Sequence, residues 1–126
     1  MDWDRRYLVG SLAYVAVGMA LGIFMAASHD HAQHVTHAHI LLVGFVVLFI
    51  YAVIHKLWLG GQASRLATLQ FVAHQAGTLA MVCGLFLLYG SFVPPEKIEP
   101  VLATSTIVVF AAALLMIVMA LKKQPM

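Results

Sequence analysis

The stretch His37-Ala38-His39-Ile40-Leu41-Leu42-Val43-Gly44-Phe45 places two imidazoles at the start of a long apolar segment. The segment continues through Tyr51 to a third imidazole at His55, and it stops at Gly60-Gly61. A histidine inside a membrane helix is energetically costly and usually functional, and neutral imidazole is the commonest metal ligand in proteins. The stretch therefore predicts a membrane helix whose histidines bind a metal ion or a metal-containing cofactor.

The whole chain has the composition of a membrane protein. Hydrophobic residues make up 63% of the 126 residues, and charged residues make up only 10%, whereas about 25% is usual in a soluble domain. The net charge of +2 is too small and too dispersed to indicate nucleic-acid binding. The single cysteine, Cys83, has no partner within this chain for a disulfide and favours a packing role. The lipid bilayer is therefore the expected surroundings of this chain.

Four apolar segments are each long enough to cross a hydrocarbon core, which requires about 20 helical residues. They cover residues 7–28, 37–59, 66–92 and 101–121. The links between them are short, and short links favour antiparallel neighbours. We therefore predict an all-α polytopic membrane protein in which residues 1–126 form a single antiparallel four-helix transmembrane bundle.

Basic residues predict the orientation of the bundle, because cytoplasmic links are enriched in Lys and Arg. If the N-terminus is cytoplasmic, Lys97 is the only such residue in an outer link. The basic residues on the inner side are then Arg5, Arg6, Lys56, Arg65, Lys122 and Lys123. The sequence thus favours a bacterial inner-membrane protein with both termini in the cytoplasm.

Small residues recur at four-residue spacing in two of the segments. Gly18 and Gly22 form one such pair, and the third segment contains Ala73, Ala76, Gly77, Ala80 and Gly84. Small residues at this spacing let helices approach closely. They predict contact seams, either within the bundle or between copies in a homo-oligomer.

Helical spacing separates the histidines of the second segment. At 100° per residue His37 and His55 share one face, whereas His39 is rotated by about 200° from His37. The face of His39 is expected to continue through Val43, Val46 and Ile50. His37 and His55 are about 27 Å apart along the axis, too far to bind one cofactor. His37 and His39 therefore serve two different sites, or one of them binds while the other packs.

A histidine in the third segment, His74, lies at nearly the same depth as His55. Axial histidines on facing helices are a common way to hold haem in a bundle, so His55 and His74 are candidate ligands of one haem. Gly44 and Gly77 would leave room for the flat macrocycle. Two alternatives stay open, namely a hydrated His55 at the membrane surface and a polar helix contact at His74.

The link between the first two segments contains a second set of metal-ligand residues. These are His29, Asp30, His31 and His34. Their density suits Zn, Cu or Ni coordination, although the spacing matches no closed structural zinc pattern. Transition-metal binding or transport is therefore the alternative function. A histidine of this link could also supply the second axial ligand to a haem held by His37 or His39.

Residues 36–45 resemble the HxHxxxxG segment in the catalytic subunit, subunit I, of haem-copper oxidases and nitric oxide reductases. In that superfamily the paired histidines ligate two haems on opposite sides of one helix. The whole chain also resembles small four-helix proteins related to that subunit, in which the next helix carries a histidine before a glycine, here His74-Gln75-Ala76-Gly77. The resemblance implies that His37 and His39 are haem ligands. It matches His74 more loosely and does not include His55.

The chain also departs from that subunit in ways that bear on function. It has only a fraction of the subunit's helices, and it lacks the separate helix with the copper-site histidine and the pair of histidines that follows it. No acidic residue lies within a predicted helix to deliver protons. A stand-alone oxygen or nitric oxide reductase is therefore not expected. A b-type haem, non-covalent because no Cys-x-x-Cys-His is present, would instead serve electron transfer, sensing or assembly with a respiratory-chain partner.

Overall fold

The computed structural model describes residues 2–60 and 64–122, and these form four long helices. Helix α1 spans Trp3–Ser28, α2 spans His34–Leu59, α3 spans Arg65–Tyr89 and α4 spans Pro95–Leu121. Each helix is long and apolar enough to cross a membrane. The predicted all-α class and the four candidate membrane-spanning segments are therefore confirmed.

The outer surface of the helices consists largely of big hydrophobic side chains. Ile23 is 68% exposed and Ile107 is 67% exposed, and similar residues recur along every helix. Soluble monomers rarely expose contiguous apolar patches of such extent. This surface fits contact with lipid rather than with water.

Helix α3 ends at Tyr89 rather than at residue 92, where hydropathy placed its end. Ser91 adopts a left-handed backbone conformation, with φ 60°. The amide of Phe92 donates to the carbonyl of Leu87 at 3.0 Å, and the ring of Phe92 stacks on Phe86. These are the features of a Schellman motif. The apolar Phe92 thus belongs to the cap of the helix and not to its body.

Helix α4 begins at Pro95 rather than at residue 101, because Pro95 is compatible with a helix start. Pro95 lies in the first turn, where a missing N–H costs no helical hydrogen bond. Glu96, also in the first turn, complements the positive end of the helix dipole. Pro100 lies inside the helix, where it removes one backbone donor. The predicted link therefore extended too far into α4.

Helix α2 is not wound uniformly. Residues Ile40–Val47 and His55–Leu59 form π-helix, in which each amide pairs with the carbonyl five residues earlier. The carbonyl of Val43 lies 3.1 Å from Nε2 of His74 on α3. The side chain of His74 on α3 therefore donates a hydrogen bond to a backbone carbonyl inside the first π-segment.

The π-segment changes which residues share a face with His39. In a π-helix each residue turns by less than 100°, so positions four apart come closer to alignment than in an α-helix. Val46 and Ile50, which the spacing predicts on the face of His39, do not line a groove with it. The residues that line one groove with His39 are Val43, Val47 and Tyr51.

Glycines set the closest approaches between helices. A Cβ atom added at Gly18 of α1 would lie 2.6 Å from Cδ2 of Leu41 on α2. A Cβ atom at Gly77 of α3 would lie 2.8 Å from Cγ2 of Val109 on α4. The predicted seams are confirmed at these glycines, and both of them lie within this chain.

The main apolar core joins all four helices. It contains Trp3, Tyr7, Leu48, Tyr51, Ala52, Leu59, Ala67, Met116 and Met119. Helix α1 begins at Trp3 rather than at residue 7, and the ring of Trp3 packs on Phe71 with centroids 5.6 Å apart. This core surrounds two of the histidines that the sequence singles out.

Candidate functional site

The imidazole of His39 is held in one orientation by its own helix. Its Nδ1 atom lies 2.8 Å from the carbonyl oxygen of Val35. A carbonyl only accepts hydrogen bonds, so Nδ1 carries the hydrogen and Nε2 of the neutral ring carries a lone pair. Metal-ligating histidines are typically oriented by a second interaction of this kind. His39 is therefore prepared to act as a ligand through Nε2.

His39 lines a groove of about 470 Å³ between α2, α3 and α4, which we call the His39 groove. Its walls are mostly apolar. The remaining lining residues are Val43, Val47 and Tyr51 of α2, Met81 and Leu85 of α3, and Leu102, Thr106, Val109, Phe110 and Ala113 of α4. The volume lies within the roughly 300–1,000 Å³ usual for small-molecule and cofactor sites. The groove thus combines one oriented imidazole with space for a sizeable apolar ligand.

His37 points to the other side of α2, as the helical spacing predicts. Its Nδ1 atom donates to the carbonyl oxygen of Gly18 on α1 at 2.8 Å. A Cβ atom added at Gly22 would lie 2.9 Å from Cε1 of the His37 ring. In this structure His37 fills the space beside Gly22, and it does not line the His39 groove.

His74 is 0% exposed and lies against α2. Its Nε2 atom donates to the carbonyl oxygen of Val43, and the hydroxyl of Thr78 lies 3.3 Å from the same nitrogen. The ring of Tyr51 approaches it edge-on, at 5.2 Å between centroids. Among the described residues, Nδ1 of His74 has no hydrogen-bond partner. The polar helix contact, one of the two open alternatives, is thus present at His74.

His55 is 1% exposed, so it is not a hydrated residue at the surface. Its ring stacks on Tyr7, with centroids 4.5 Å apart and planes inclined by 26°. Within residues 2–60 and 64–122, neither of its ring nitrogens has a hydrogen-bond partner. Burying two ring nitrogens without hydrogen bonds costs free energy. The ring of His55 packs against the ring of Tyr7 instead.

The surroundings of His55 and His74 form one buried set of polar and aromatic side chains, which we call the Tyr7 cluster. It comprises Tyr7, Tyr51, His55, Gln70, His74 and Thr78. The hydroxyl of Tyr7 donates to Oε1 of Gln70, and Nε2 of Gln70 donates to the carbonyl oxygen of Ala112 on α4 at 3.0 Å. Aromatic rings, rather than open space, therefore lie against both imidazoles.

The two glycines expected to make room for a macrocycle are covered by protein side chains. A Cβ atom added at Gly44 would lie 2.5 Å from Cδ1 of Tyr14. Gly77 faces Val109, and the carbonyl oxygen of Ser105 lies 3.2 Å from the same added Cβ position. In this structure both glycines permit helix packing.

Reasoning from sequence alone misses the tyrosines of α1 that bond to the two glutamines near His74. Tyr14 donates to Oε1 of Gln75 at 2.8 Å, in parallel with the bond from Tyr7 to Gln70. The sequence feature that could have indicated these tyrosines is the pair of glutamines, Gln70 and Gln75, near His74 in an otherwise apolar segment. Buried amides require partners, and tyrosines on another helix are the polar groups that reach them.

The histidines of the link before α2 are exposed and local in their contacts. Asp30 accepts a hydrogen bond from the amide of Ala32, and Nδ1 of His34 lies 3.1 Å from the carbonyl oxygen of His31. His29 ends α1 with φ 58°. Among residues 2–60 and 64–122, no three His, Cys, Asp or Glu side chains are grouped to hold a metal ion. Zn, Cu or Ni binding by His29, Asp30, His31 and His34 stays a prediction.

Comparison with known proteins assigns no family to the chain. No model of a known protein family, no curated protein and no solved structure matches it. Its function must therefore be inferred from its own residues, and the His39 groove is the feature with the most specific chemistry.

Proposed function

We propose that this chain is an integral membrane protein that binds a b-type haem non-covalently, with Nε2 of His39 as an axial ligand. The observation that carries the proposal is the oriented imidazole at the wall of an apolar groove. The Nδ1–H bond to the carbonyl of Val35 fixes the ring, and the groove provides about 470 Å³ beside it. The resemblance of residues 36–45 to the paired-ligand segment of subunit I supports the same assignment for His39.

The membrane placement rests on the helices themselves. Four of them are long and apolar enough to span a bilayer, and their surfaces are covered by exposed hydrophobic side chains. Contacts between α2 and α3 support an antiparallel arrangement, because Gln33 bonds to Phe86 and Val43 bonds to His74. The distribution of Lys and Arg supports an inner-membrane bundle with cytoplasmic termini.

The donor set and the walls of the groove fit a haem. Imidazole is a usual axial ligand of haem iron, and the hydrogen bond from Nδ1 to a carbonyl increases the basicity of Nε2. The apolar walls would cover the macrocycle and exclude water. A bound haem supplies one-electron redox chemistry, whereas the protein supplies the ligand, the orientation and the surroundings that set the reduction potential.

The Tyr7 cluster is a less suitable haem site than the His39 groove. His74 uses Nε2 for the carbonyl of Val43, and His55 is stacked on Tyr7. A macrocycle between these two imidazoles would have to displace aromatic side chains of the core. We therefore assign the Tyr7 cluster to the stability of the bundle and the His39 groove to the cofactor. The role of the haem is electron transfer, sensing or assembly within a respiratory complex.

An optical spectrum of purified protein tests the proposal. The chain is expressed in a membrane with haem available, and the dithionite-reduced protein is expected to show a Soret band and α/β bands. His39→Leu is expected to lower the haem content at least tenfold. His34→Leu is the matched control, since His34 is an exposed histidine near the start of the same helix, and it is expected to keep the wild-type spectrum.

Two results would contradict the haem assignment. A wild-type protein that is colourless after expression with haem would remove it altogether. A wild-type spectrum in His39→Leu would show that the ligand lies elsewhere, and the same measurement on His37→Leu, His55→Leu and His74→Leu would then locate it. Metal analysis of the same samples tests the alternative of Zn, Cu or Ni at the link histidines.

A further inference from the structure

The His39 groove offers few side-chain atoms that could complete the coordination of an iron bound at His39. Besides His39, the lining residues with a heteroatom in the side chain are Tyr51, Met81 and Thr106. The hydroxyl of Thr106 donates to the carbonyl oxygen of Leu102 at 2.7 Å, and a neutral hydroxyl is a weak ligand for iron. The choice within the groove is therefore between Tyr51 and Met81.

Depth in the bundle excludes Tyr51. It lies twelve residues after His39 on the same helix, which separates the two by more than about 10 Å at roughly 1.5 Å per residue. The two axial ligands of one iron must lie at nearly the same level on opposite sides of the macrocycle. Tyr51 and His39 share one helix and lie at different levels, so they cannot form such a pair.

Depth favours Met81. Two hydrogen bonds fix the register of α2 against α3, namely Nε2 of Gln33 to the carbonyl of Phe86 at 3.0 Å and Nε2 of His74 to the carbonyl of Val43 at 3.1 Å. Equal numbers of residues cover equal depth along two helices. Interpolation between the two contacts therefore places His39 at the depth of about residues 78–80 of α3. Met81 lies within one helical turn of that level and on a different wall of the groove.

The chemistry of methionine suits this position. The side chain of Met81 is buried, unbranched and flexible, so its sulfur can adjust to a ligand without movement of the backbone. The thioether is a soft neutral ligand, and a His/Met pair raises the reduction potential of haem iron relative to other axial sets. No second histidine lines the groove within the described residues. A second imidazole would have to come from elsewhere.

We propose that Sδ of Met81 is the second axial ligand of the haem held by His39. This inference rests on the proposed function. His39 of α2 would then hold the iron through nitrogen, and Met81 of α3 would hold it through sulfur. An iron held by two protein ligands would be suited to electron transfer.

Three variants test the assignment in the haem-loaded protein. Met81→Leu removes the sulfur and keeps the volume nearly constant. Met81→His replaces the thioether by an imidazole. Met116→Leu is the matched control, because Met116 is also buried but belongs to the apolar core and does not line the groove. The readouts are the near-infrared charge-transfer band of the oxidised protein, which reports sulfur ligation by methionine, and the midpoint potential.

The wild type and Met116→Leu are expected to show the near-infrared band. Met81→Leu is expected to retain a Soret band while losing the near-infrared band, and its midpoint potential is expected to fall. Met81→His is expected to give a bis-imidazole spectrum, also at lower potential. Should Met81→Leu fail to retain haem, the bis-imidazole spectrum of Met81→His alone supports the assignment, because a residue remote from the iron could not produce it.

The outcomes separate this inference from the proposed function. A wild-type protein that carries haem but has no near-infrared band, with Met81→Leu and Met81→His unchanged in spectrum and potential, overturns the role of Met81 and leaves the haem site standing. A wild-type protein without haem overturns both.

Discussion

The Tyr7 cluster and the His39 groove place the same residue type in two different settings. In the Tyr7 cluster, His55 and His74 are almost fully buried and in contact with aromatic rings. In the groove, His39 is partly exposed, with one nitrogen bonded to a backbone carbonyl. A histidine surrounded by packed side chains stabilises a helix contact, whereas an oriented histidine beside open space is available to a ligand. If the proposed haem is bound at His39, burial alone is a poor guide to which membrane histidine binds a cofactor.

The largest expected effect lies at the centre of the Tyr7 cluster. Tyr7→Ala removes a buried ring that contacts His55, Tyr51 and Phe71, and it leaves Gln70 without its donor. The free energy of unfolding in detergent micelles is expected to fall by about 3 kcal/mol or more, from lost packing and an unpaired amide.

Phe24→Ala is the matched control for Tyr7→Ala. It also removes an aromatic ring from α1, but the ring is 57% exposed and its loss is expected to change the free energy of unfolding by no more than about 0.5 kcal/mol. Equal losses from the two variants would show that the Tyr7 cluster does not dominate the stability of the bundle.

Helix number and contact seams could be predicted from the sequence because they depend on sums over many residues. Hydropathy over twenty residues finds each span, and glycines at four-residue spacing mark where helices approach, as at Gly18 and Gly77. The ends of α3 and α4 were less predictable. They depend on single local features, the left-handed Ser91 and the helical Pro95, which average hydropathy does not register.

The candidate site was predictable in its residue types and in the opposite directions of His37 and His39, but not in what surrounds each histidine. Spacing predicted that His37 and His39 point to different sides of α2, and the structure agrees. The π-segment Ile40–Val47 was not predictable, because its winding accompanies a bond from His74 on another helix to the carbonyl of Val43. Whether an imidazole meets open space or an aromatic ring likewise depends on tertiary packing, which no local pattern encodes.

A second prediction compares the two regions directly by making the same change, histidine to leucine, in each of them. His74→Leu leaves the carbonyl of Val43 without its side-chain donor, and the loss of a buried hydrogen bond costs about 1–3 kcal/mol. His39→Leu removes a bond to a carbonyl of its own helix at a partly exposed site. It is expected to change the free energy of unfolding by about 0.5 kcal/mol.

Both measurements use protein purified without added haem, so that ligand binding does not contribute to stability. The pattern should reverse for haem content, which falls in His39→Leu and stays near the wild-type value in His74→Leu among the molecules that fold. A larger stability loss in His39→Leu than in His74→Leu would remove the distinction between the two regions.

A smaller loss of stability than that of Tyr7→Ala is expected at Gly44, which lies between the two regions on α2. Its added Cβ would lie 2.5 Å from Cδ1 of Tyr14 and 3.0 Å from Cβ of Tyr14, an aromatic side chain that can yield little. Gly44→Ala is therefore expected to lose about 1 kcal/mol in the free energy of unfolding, since overpacking of about 1–3 kcal/mol is partly offset by the gain of about 0.5–1 kcal/mol from alanine in a helix. Gly10→Ala is the matched control, because its added Cβ meets only the far ends of two side chains, Nε2 of Gln75 at 2.8 Å and Cδ2 of Leu48 at 3.0 Å, and it is expected to lose less stability than Gly44→Ala. If Gly44 instead made room for the macrocycle, Gly44→Ala would lower haem content and leave the stability of the haem-free protein unchanged, which would move the cofactor from the His39 groove to the side of α2 that faces α1.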